Sequence, residues 1–123
     1  MSVDLSIPVL VVHDYPTMGA IITTVLRQIG FENIDGANDG REALKKLSDG
    51  GYGLVISDET MASMSGEDLL RALRARPQTA ETPFVLLRAR IEAEFSVKRA
   101  NVVTKPFNAR KLHSGIEAAI RAA

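Results

Sequence analysis

Residues 54–58 read Leu-Val-Ile-Ser-Asp, a short apolar run that ends in a carboxylate. Three consecutive apolar residues, two of them β-branched, are typical of a strand buried on both faces of a parallel sheet. A few residues later, the pair Ser65-Gly66 opens a helical pattern. Asp58 is therefore predicted to lie at the carboxyl end of a strand, the edge where parallel α/β sheets bind ligands. Taken alone, a carboxylate at such a place could equally serve only to cap the turn.

Three further apolar runs end in polar side chains in the same way. The runs at 9–12, 84–87 and 102–103 are followed, in that order, by His13-Asp14, by Arg88 and by Thr104-Lys105. Because the carboxyl ends of parallel strands meet at one edge of a sheet, we expect these side chains to converge on Asp58. Two carboxylates beside cations in an open crevice can bind a hard metal ion and an anion.

Helical patterns separate the apolar runs. Pro16 suits the first turn of a helix whose apolar residues recur at helical spacing until Gly30 ends it. A weaker second strand is predicted over residues 31–37, and a short helix around residues 91–95. The N-caps expected for the other helices are Asp39, Ser65 and Asn108. The alternation βαβαβαβαβα predicts a single α/β domain over residues 1–123, with a parallel sheet covered by helices on both faces.

The composition is that of an ordinary soluble globular domain. With 123 residues, 46% of them apolar and 24% charged, the chain is long enough for one domain with a core but not for two. It contains no cysteine, which excludes disulfides and thiolate metal sites. No apolar stretch approaches the ~20 residues of a membrane helix, and residues 1–6 lack a signal pattern. We therefore expect a cytoplasmic protein without membrane contact.

The charge is balanced overall but unevenly distributed along the chain. Residues 1–70 contain four Lys/Arg and eleven Asp/Glu, a net charge of −7, whereas residues 71–123 contain eleven Lys/Arg and four Asp/Glu, a net charge of +7. A fold that interleaves the two halves would cancel this asymmetry in space. A basic face built from the later elements would instead attract an acidic partner or a phosphate-bearing ligand. We favour the first interpretation.

Four stretches, in their order and spacing, resemble the receiver domains of two-component response regulators, the group that includes the chemotaxis response regulator. They are VLVVHDYPTM at 9–18, LVISDETM at 54–61, SGEDLLRALR at 65–74 and VTKPF at 103–107. The resemblance covers essentially the whole chain. It implies a flavodoxin-like, doubly wound (βα)5 fold with a parallel five-stranded sheet in the order 2-1-3-4-5. It also implies a stand-alone receiver in phosphorelay signal transduction rather than an enzyme, with at most self-phosphorylation and self-dephosphorylation.

The resemblance implies a role for individual residues. Asp58 would accept a phosphoryl group from the phosphohistidine of a sensor histidine kinase or phosphotransfer protein. Mg²⁺ would be held by Asp14, Asp58 and the backbone carbonyl of Thr60, and Lys105 would pair with Asp58 and the phosphoryl oxygens. The bond between Lys105 and Pro106 resembles the family's cis peptide, which would direct the ammonium into the crevice. The output would be contact with a downstream target protein by a monomer or weak dimer, without direct DNA binding.

Several residues depart from the family pattern. His13 replaces the first of two adjacent acids, and since imidazole is a poor ligand for Mg²⁺ we expect weak metal binding. Its ring could make a local hydrogen bond or contact the metal. Arg88 replaces the usual Ser or Thr, and could either bind the phosphoryl group or pair with unphosphorylated Asp58. Val102 replaces the aromatic switch residue, and Ala62 replaces the usual Pro.

Two classes of function remain open from the sequence. One is the phosphoacceptor relay, and the other is a degenerate pseudo-receiver, a binding module that works without phosphorylation. In a variant of the second, Arg88, Arg90 and Arg99 would hold an anionic ligand such as a cyclic dinucleotide. A DNA-binding regulator is not expected, because the chain ends with the last receiver helix. An enzyme is not expected either, because no nucleophile–base pair is evident.

Overall fold

The structure, a computed structural model, describes residues 3–89 and 97–121. Five parallel strands form one sheet: β1 (Val9–Val12), β2 (Ile34–Ala37), β3 (Leu54–Asp58), β4 (Phe84–Arg88) and β5 (Ala100–Thr104). The described helices are α1 (Pro16–Ile29), α2 (Gly40–Ser48), α3 (Gly66–Arg74) and α4 (Ala109–Arg121). The strand order β2-β1-β3-β4-β5 confirms the predicted flavodoxin-like topology. None of these four helices has both the length and the apolar character that crossing a membrane requires.

Helices cover the sheet on both faces, and each face has its own apolar layer. Every residue of β1 and β3 is buried, because these central strands have neighbours on both sides and helices above and below. Successive residues of a strand point to opposite faces, so Val9 and Val11 join one layer whereas Leu10 and Val12 join the other. The first layer packs on Ile22 and Leu26 of α1 and Leu112 and Ile116 of α4. The second packs on Ala43 and Leu47 of α2 and Leu69, Leu70 and Leu73 of α3.

The three predicted N-caps are confirmed. Each side chain accepts a hydrogen bond from a backbone N–H in the first helical turn, as an N-cap does. The donors are the N–H groups of Glu42 to Asp39 at 2.8 Å, of Asp68 to Ser65 at 3.1 Å and of Lys111 to Asn108 at 2.9 Å. The caps fix where α2, α3 and α4 begin, and therefore how the loops after β2, β3 and β5 are closed.

The predicted elements and the observed ones differ in two places. The strand expected over residues 31–37 begins only at Ile34, because Phe31 is buried after the end of α1 and packs in the first apolar layer. Its N–H donates to the carbonyl of Leu26, which keeps this residue on the helix end rather than on the sheet. The fifth strand begins at Ala100, earlier than its apolar run at 102–103 indicates. The helix predicted around residues 91–95 lies outside the described residues.

The start of α3 lies directly against the end of β3. The N–H of Gly66 donates to the carbonyl of Glu59 at 2.9 Å. A Cβ at Gly66 would lie 2.4 Å from the carbonyl oxygen of Asp58 and 2.5 Å from Cδ1 of Leu86, so only glycine allows this approach. The close packing fixes the backbone on both sides of Asp58.

Candidate functional site

Asp58 lies in a crevice at the carboxyl edge of the sheet. It is the last residue of β3 and is only 5% exposed. Lys105 directly follows β5, and its Nζ contacts Oδ1 of Asp58. The Lys105–Pro106 peptide bond is cis, as expected from the sequence. The structure therefore brings together the carboxylate and the ammonium that the sequence placed at the ends of two different strands.

The two carboxylate oxygens of Asp58 have different surroundings. Oδ1 is held by Lys105, whereas Oδ2 accepts no hydrogen bond from any residue that the structure describes. The nitrogen Nε2 of His13 lies 3.6 Å from Oδ2, beyond hydrogen-bond distance. Among the described residues, Oδ2 is therefore the carboxylate oxygen that no donor holds, which leaves it to bond with an incoming electrophile.

Asp14 supplies a second carboxylate near this edge. Its Oδ2 accepts a hydrogen bond of 2.9 Å from the N–H of Ala62, in the loop after β3. Its side chain is 34% exposed, and no Lys or Arg of residues 3–89 and 97–121 pairs with it. Asp14 therefore has no Lys or Arg of the described residues beside it, whereas Asp58 has Lys105.

His13 lies between these two acids, with its ring 4% exposed. Its Nδ1 accepts a hydrogen bond of 2.8 Å from the N–H of Tyr15, so the ring proton of the neutral imidazole is on Nε2. Nε2 lies 3.6 Å from Oδ2 of Asp58, which is too far for a hydrogen bond. Neither nitrogen has a lone pair to offer a metal ion, and this argues against His13 as a metal ligand. Of the two roles considered for the ring, the structure shows the local hydrogen bond.

Arg88 is held by carboxylates other than Asp58. Its Nε donates to Oε2 of Glu59 at 2.8 Å and its Nη2 donates to Oε1 of Glu67, and the side chain is 12% exposed. We call this group the Arg88 clamp: Arg88, Glu59 and Glu67. Among the described residues, Arg88 forms no ion pair with Asp58, so of the two roles considered for it the structure does not show the pairing with the unphosphorylated acceptor.

The sequence analysis missed both acidic members of the Arg88 clamp. Glu59 directly follows Asp58, and Glu67 lies in the first turn of α3, whose start is packed against the same strand end. An arginine at the end of a neighbouring strand has both carboxylates within reach. Their positions in the sequence make Glu59 and Glu67 possible partners of Arg88 but do not single them out from the other carboxylates of this edge.

The arginines considered for an anionic ligand do not share one site. Arg88 ends β4 at the carboxyl edge of the sheet, whereas Arg99 precedes β5 at the opposite edge. The guanidinium of Arg99 donates to the carbonyls of Glu81 at 2.6 Å and Ile120 at 2.9 Å. Five strand residues at about 3.3 Å each separate the two levels. Arg88 and Arg99 therefore do not form a joint site. Arg90, the third arginine considered, lies outside the described residues.

The donors in the crevice suit a magnesium ion that keeps water ligands. The described residues include no group of three or more His, Asp or Glu side chains that could hold a metal by themselves. Mg²⁺ commonly binds through one or two carboxylates together with waters and phosphate oxygens. Asp14 and Asp58 offer oxygen ligands of this kind, and His13 offers none.

Comparison with known proteins agrees with this geometry. A model of the response regulator receiver domain matches residues 9–117. The probable chemotaxis protein CheY of Rhizobium etli is 35% identical over 123 residues, an alignment covering 96% of this chain and 95% of the relative. The chemotaxis protein CheY of Pseudomonas aeruginosa is 36% identical over 114 residues, covering 89% and 92%.

Solved structures show the same architecture. The chemotaxis response regulator CheY4 of Vibrio cholerae is 28% identical with a TM-score of 0.81, and the match covers 93% of this chain and 98% of that one. The receiver domain of a Pseudomonas aeruginosa sensor histidine kinase, described with a magnesium ion coordinated in its active-site cleft, is 21% identical with a TM-score of 0.78 over 94% and 98% of the two chains. This second likeness concerns the fold. The chain belongs to the response regulator receiver domain family, whose members are signalling domains of two-component phosphorelays and not classical enzymes.

Proposed function

We propose that this receiver accepts a phosphoryl group on Asp58 from the phosphohistidine of a sensor histidine kinase or phosphotransfer protein. The observation that carries the proposal is the asymmetry of Asp58, whose Oδ1 is held by Lys105 while Oδ2 has no described donor within hydrogen-bond distance. In the transfer, Oδ2 forms a bond to phosphorus. The bond from phosphorus to the donor's imidazole nitrogen breaks, and its electron pair returns to that nitrogen. The phosphorylated form would then signal by contact with a downstream target protein.

Charge is the main contribution of the surrounding residues to this transfer. The transition state spreads negative charge over the oxygens of the transferring group. Lys105 brings one ammonium to the acceptor, and it stays beside the phosphoryl group that forms there. Magnesium, when bound, supplies further positive charge and orients the phosphoryl oxygens. We assign Asp14 and Asp58 as its side-chain ligands, and the carbonyl of Thr60 as a third ligand by family resemblance.

The test is incubation with Mg²⁺ and a small phosphodonor, followed by intact mass measurement. The wild type is expected to gain one phosphoryl group, and Asp58→Asn is expected to gain none. Asp68→Asn is the matched control, because this carboxylate lies in the first turn of α3, is 59% exposed and is no part of the crevice. It should gain the group like the wild type.

The same measurement decides between this function and the alternative. A wild-type chain that gains no mass under saturating donor and Mg²⁺ contradicts the phosphoacceptor proposal. The receiver fold would then serve as a binding module that works without phosphorylation. A gain of mass that persists in Asp58→Asn would show that the acceptor is a different residue.

A further inference from the structure

The Nε2–H group of His13 is a hydrogen-bond donor without an acceptor among the described residues. The ring is 4% exposed, and the hydrogen bond from Tyr15 to Nδ1 fixes its orientation. Nε2 has no acceptor among the residues that the structure describes, and Oδ2 of Asp58 remains 3.6 Å away. Nε2 therefore lies beside the acceptor carboxylate, just beyond hydrogen-bond distance from its Oδ2.

The surroundings of Nε2 indicate what it can bind. A largely buried N–H group requires an acceptor, and leaving it without one costs free energy. The positive end of an N–H dipole does not accept a metal ion. The crevice that it faces is the one in which Asp58 would receive three phosphoryl oxygens, all of them strong acceptors.

We propose that His13 is a second phosphoryl-binding residue of this site, one that donates its Nε2–H to a phosphoryl oxygen carried by Asp58. The inference rests on the proposed function. It gives His13, which replaces an acid of the family pattern, a role in binding the phosphoryl group. Lys105 acts from the Oδ1 side and His13 from the Oδ2 side, so the two donors flank the acceptor. In the unphosphorylated protein, 3.6 Å separate Nε2 of His13 from Oδ2 of Asp58. A phosphoryl group attached to Oδ2 would bring its oxygens closer to Nε2.

The donor's contribution should appear in phosphoryl uptake and much less in phosphoryl loss. The free protein lacks the hydrogen bond, whereas the transition state and the phosphorylated form both have it. An interaction gained on going to the transition state accelerates uptake. For loss of the phosphoryl group, the hydrogen bond is present both in the phosphorylated form and in the transition state. Its contribution to the activation free energy of loss therefore cancels.

Two amide substitutions separate the two nitrogens of the ring. In His13→Asn the side-chain oxygen corresponds to Nδ1 and can keep the bond from Tyr15, but no donor reaches the position of Nε2. In His13→Gln the amide nitrogen corresponds to Nε2 and can keep the donor. We expect His13→Asn to take up phosphoryl about tenfold more slowly than the wild type, the factor for one hydrogen bond to a charged group. His13→Gln should restore most of the rate, and thermal unfolding of both variants shows whether the fold is kept.

Histidine NMR gives a readout that does not depend on rates. The chain has two histidines, His13 and His113, and His113 lies on α4. With ¹⁵N-labelled histidine, long-range ¹H–¹⁵N correlations are expected to show His13 with its proton on Nε2. In a sample that intact mass shows to be phosphorylated, the Nε2–H signal should move downfield, while the signals of His113 stay in place.

Each outcome bears on the inference. A proton on Nδ1, an unmoved His13 signal in a fully phosphorylated sample, or a wild-type uptake rate in a folded His13→Asn variant would overturn it and leave the proposed function intact. A wild type that gains no phosphoryl mass overturns the proposed function and this inference with it.

Discussion

Replacing Arg88 by methionine removes a guanidinium that two carboxylates share. Arg88 connects the end of β4 to Glu59, directly after the acceptor, and to Glu67 in the first turn of α3. Its backbone carbonyl also accepts a hydrogen bond of 2.7 Å from the N–H of Lys105. The Arg88 clamp thus joins the end of β4 to the residue after β3 and to the first turn of α3, and its loss should be measurable as a loss of stability. The backbone bond to Lys105 is expected to remain in the variant.

The burial of the clamp sets the size of the effect. Fully exposed ion pairs contribute about 0.2–1 kcal/mol, and breaking a fully buried one costs about 3–5 kcal/mol. The Arg88 side chain is 12% exposed and that of Glu67 is 40% exposed, which places the pair between these limits. We expect a coupling free energy of about 1–2 kcal/mol between Arg88 and Glu67.

A double-mutant cycle with Arg88→Met and Glu67→Gln measures this coupling. Urea unfolding followed by far-ultraviolet circular dichroism suits a chain without tryptophan. At an m-value of about 2 kcal/mol per molar urea, the coupling corresponds to a midpoint shift of roughly 0.5–1 M. The matched control is the cycle of Arg71→Met with the same Glu67→Gln. Arg71 is 74% exposed and lies 3.4 Å from Glu67, so a coupling of about 0.3–0.5 kcal/mol is expected there.

A coupling for Arg88 no larger than that for Arg71 would refute the idea that burial strengthens the clamp. Phosphoryl uptake provides an independent check of the geometry. Since Asp58 is held by Lys105 and not by Arg88, Arg88→Thr is not expected to speed uptake. Faster uptake in that variant would mean that the guanidinium restrains the acceptor after all.

Three further substitutions test other parts of the structure. Gly66→Ala is expected to destabilise the chain by about 1–3 kcal/mol in urea unfolding, because its Cβ would collide with the backbone at the end of β3. The control Gly19→Ala, with no atom within 4 Å of the new Cβ, should stabilise α1 by about 0.5–1 kcal/mol. Equal effects of the two substitutions on stability would contradict the close approach at Gly66. His13→Asp is expected to tighten Mg²⁺ binding in a calorimetric titration, because it supplies the oxygen ligand that this metal prefers, and an unchanged affinity would show that the position is irrelevant to the metal. Tyr52→Phe removes the 2.6 Å hydrogen bond that lowers the pKa of Asp35, so the variant should be less stable at neutral pH. The difference from the wild type should stay constant down to about pH 4 and shrink below it, as the carboxyl group becomes protonated in both states, and a difference that persists unchanged well below pH 4 would contradict the linkage.

The fold could be predicted from the sequence because its signals are local and repeated. Each strand of the sheet's centre is a short apolar run. Three of the four described helices have a side-chain N-cap, and α1 begins at Pro16. The alternation of strands and helices allows few topologies. Convergence of Asp58 and Lys105 could be predicted for the same reason, since it needs only that parallel strands end at one edge. The predicted start of β2 was wrong because Phe31 is buried by packing after the end of α1 and not by strand pairing.

The partners of Arg88 could not be predicted in this way. A long side chain at a strand end can reach several carboxylates, and which one it pairs with depends on ångström-scale placement of neighbouring loops. Here the packing of Gly66 against β3 draws the first turn of α3 close enough for Glu67 to compete. The bonding of His13 was open for a similar reason, because the hydrogen bond from Tyr15 depends on how the loop after β1 turns.

Part of the charge difference between the two halves of the chain is balanced at the crevice. The acidic first half supplies the carboxylates that end β3 or follow it, and the basic second half supplies the cations that end β4 and follow β5. Lys105 pairs with Asp58, and Arg88 pairs with Glu59 and Glu67. Opposite charges from the two halves of the chain are thus paired where the strands end. Asp14 is the carboxylate of this edge that no described Lys or Arg neutralises. A divalent cation therefore gains most beside Asp14, and the metal and Lys105 would then supply positive charge to the transferring phosphoryl group from separate elements of the sheet.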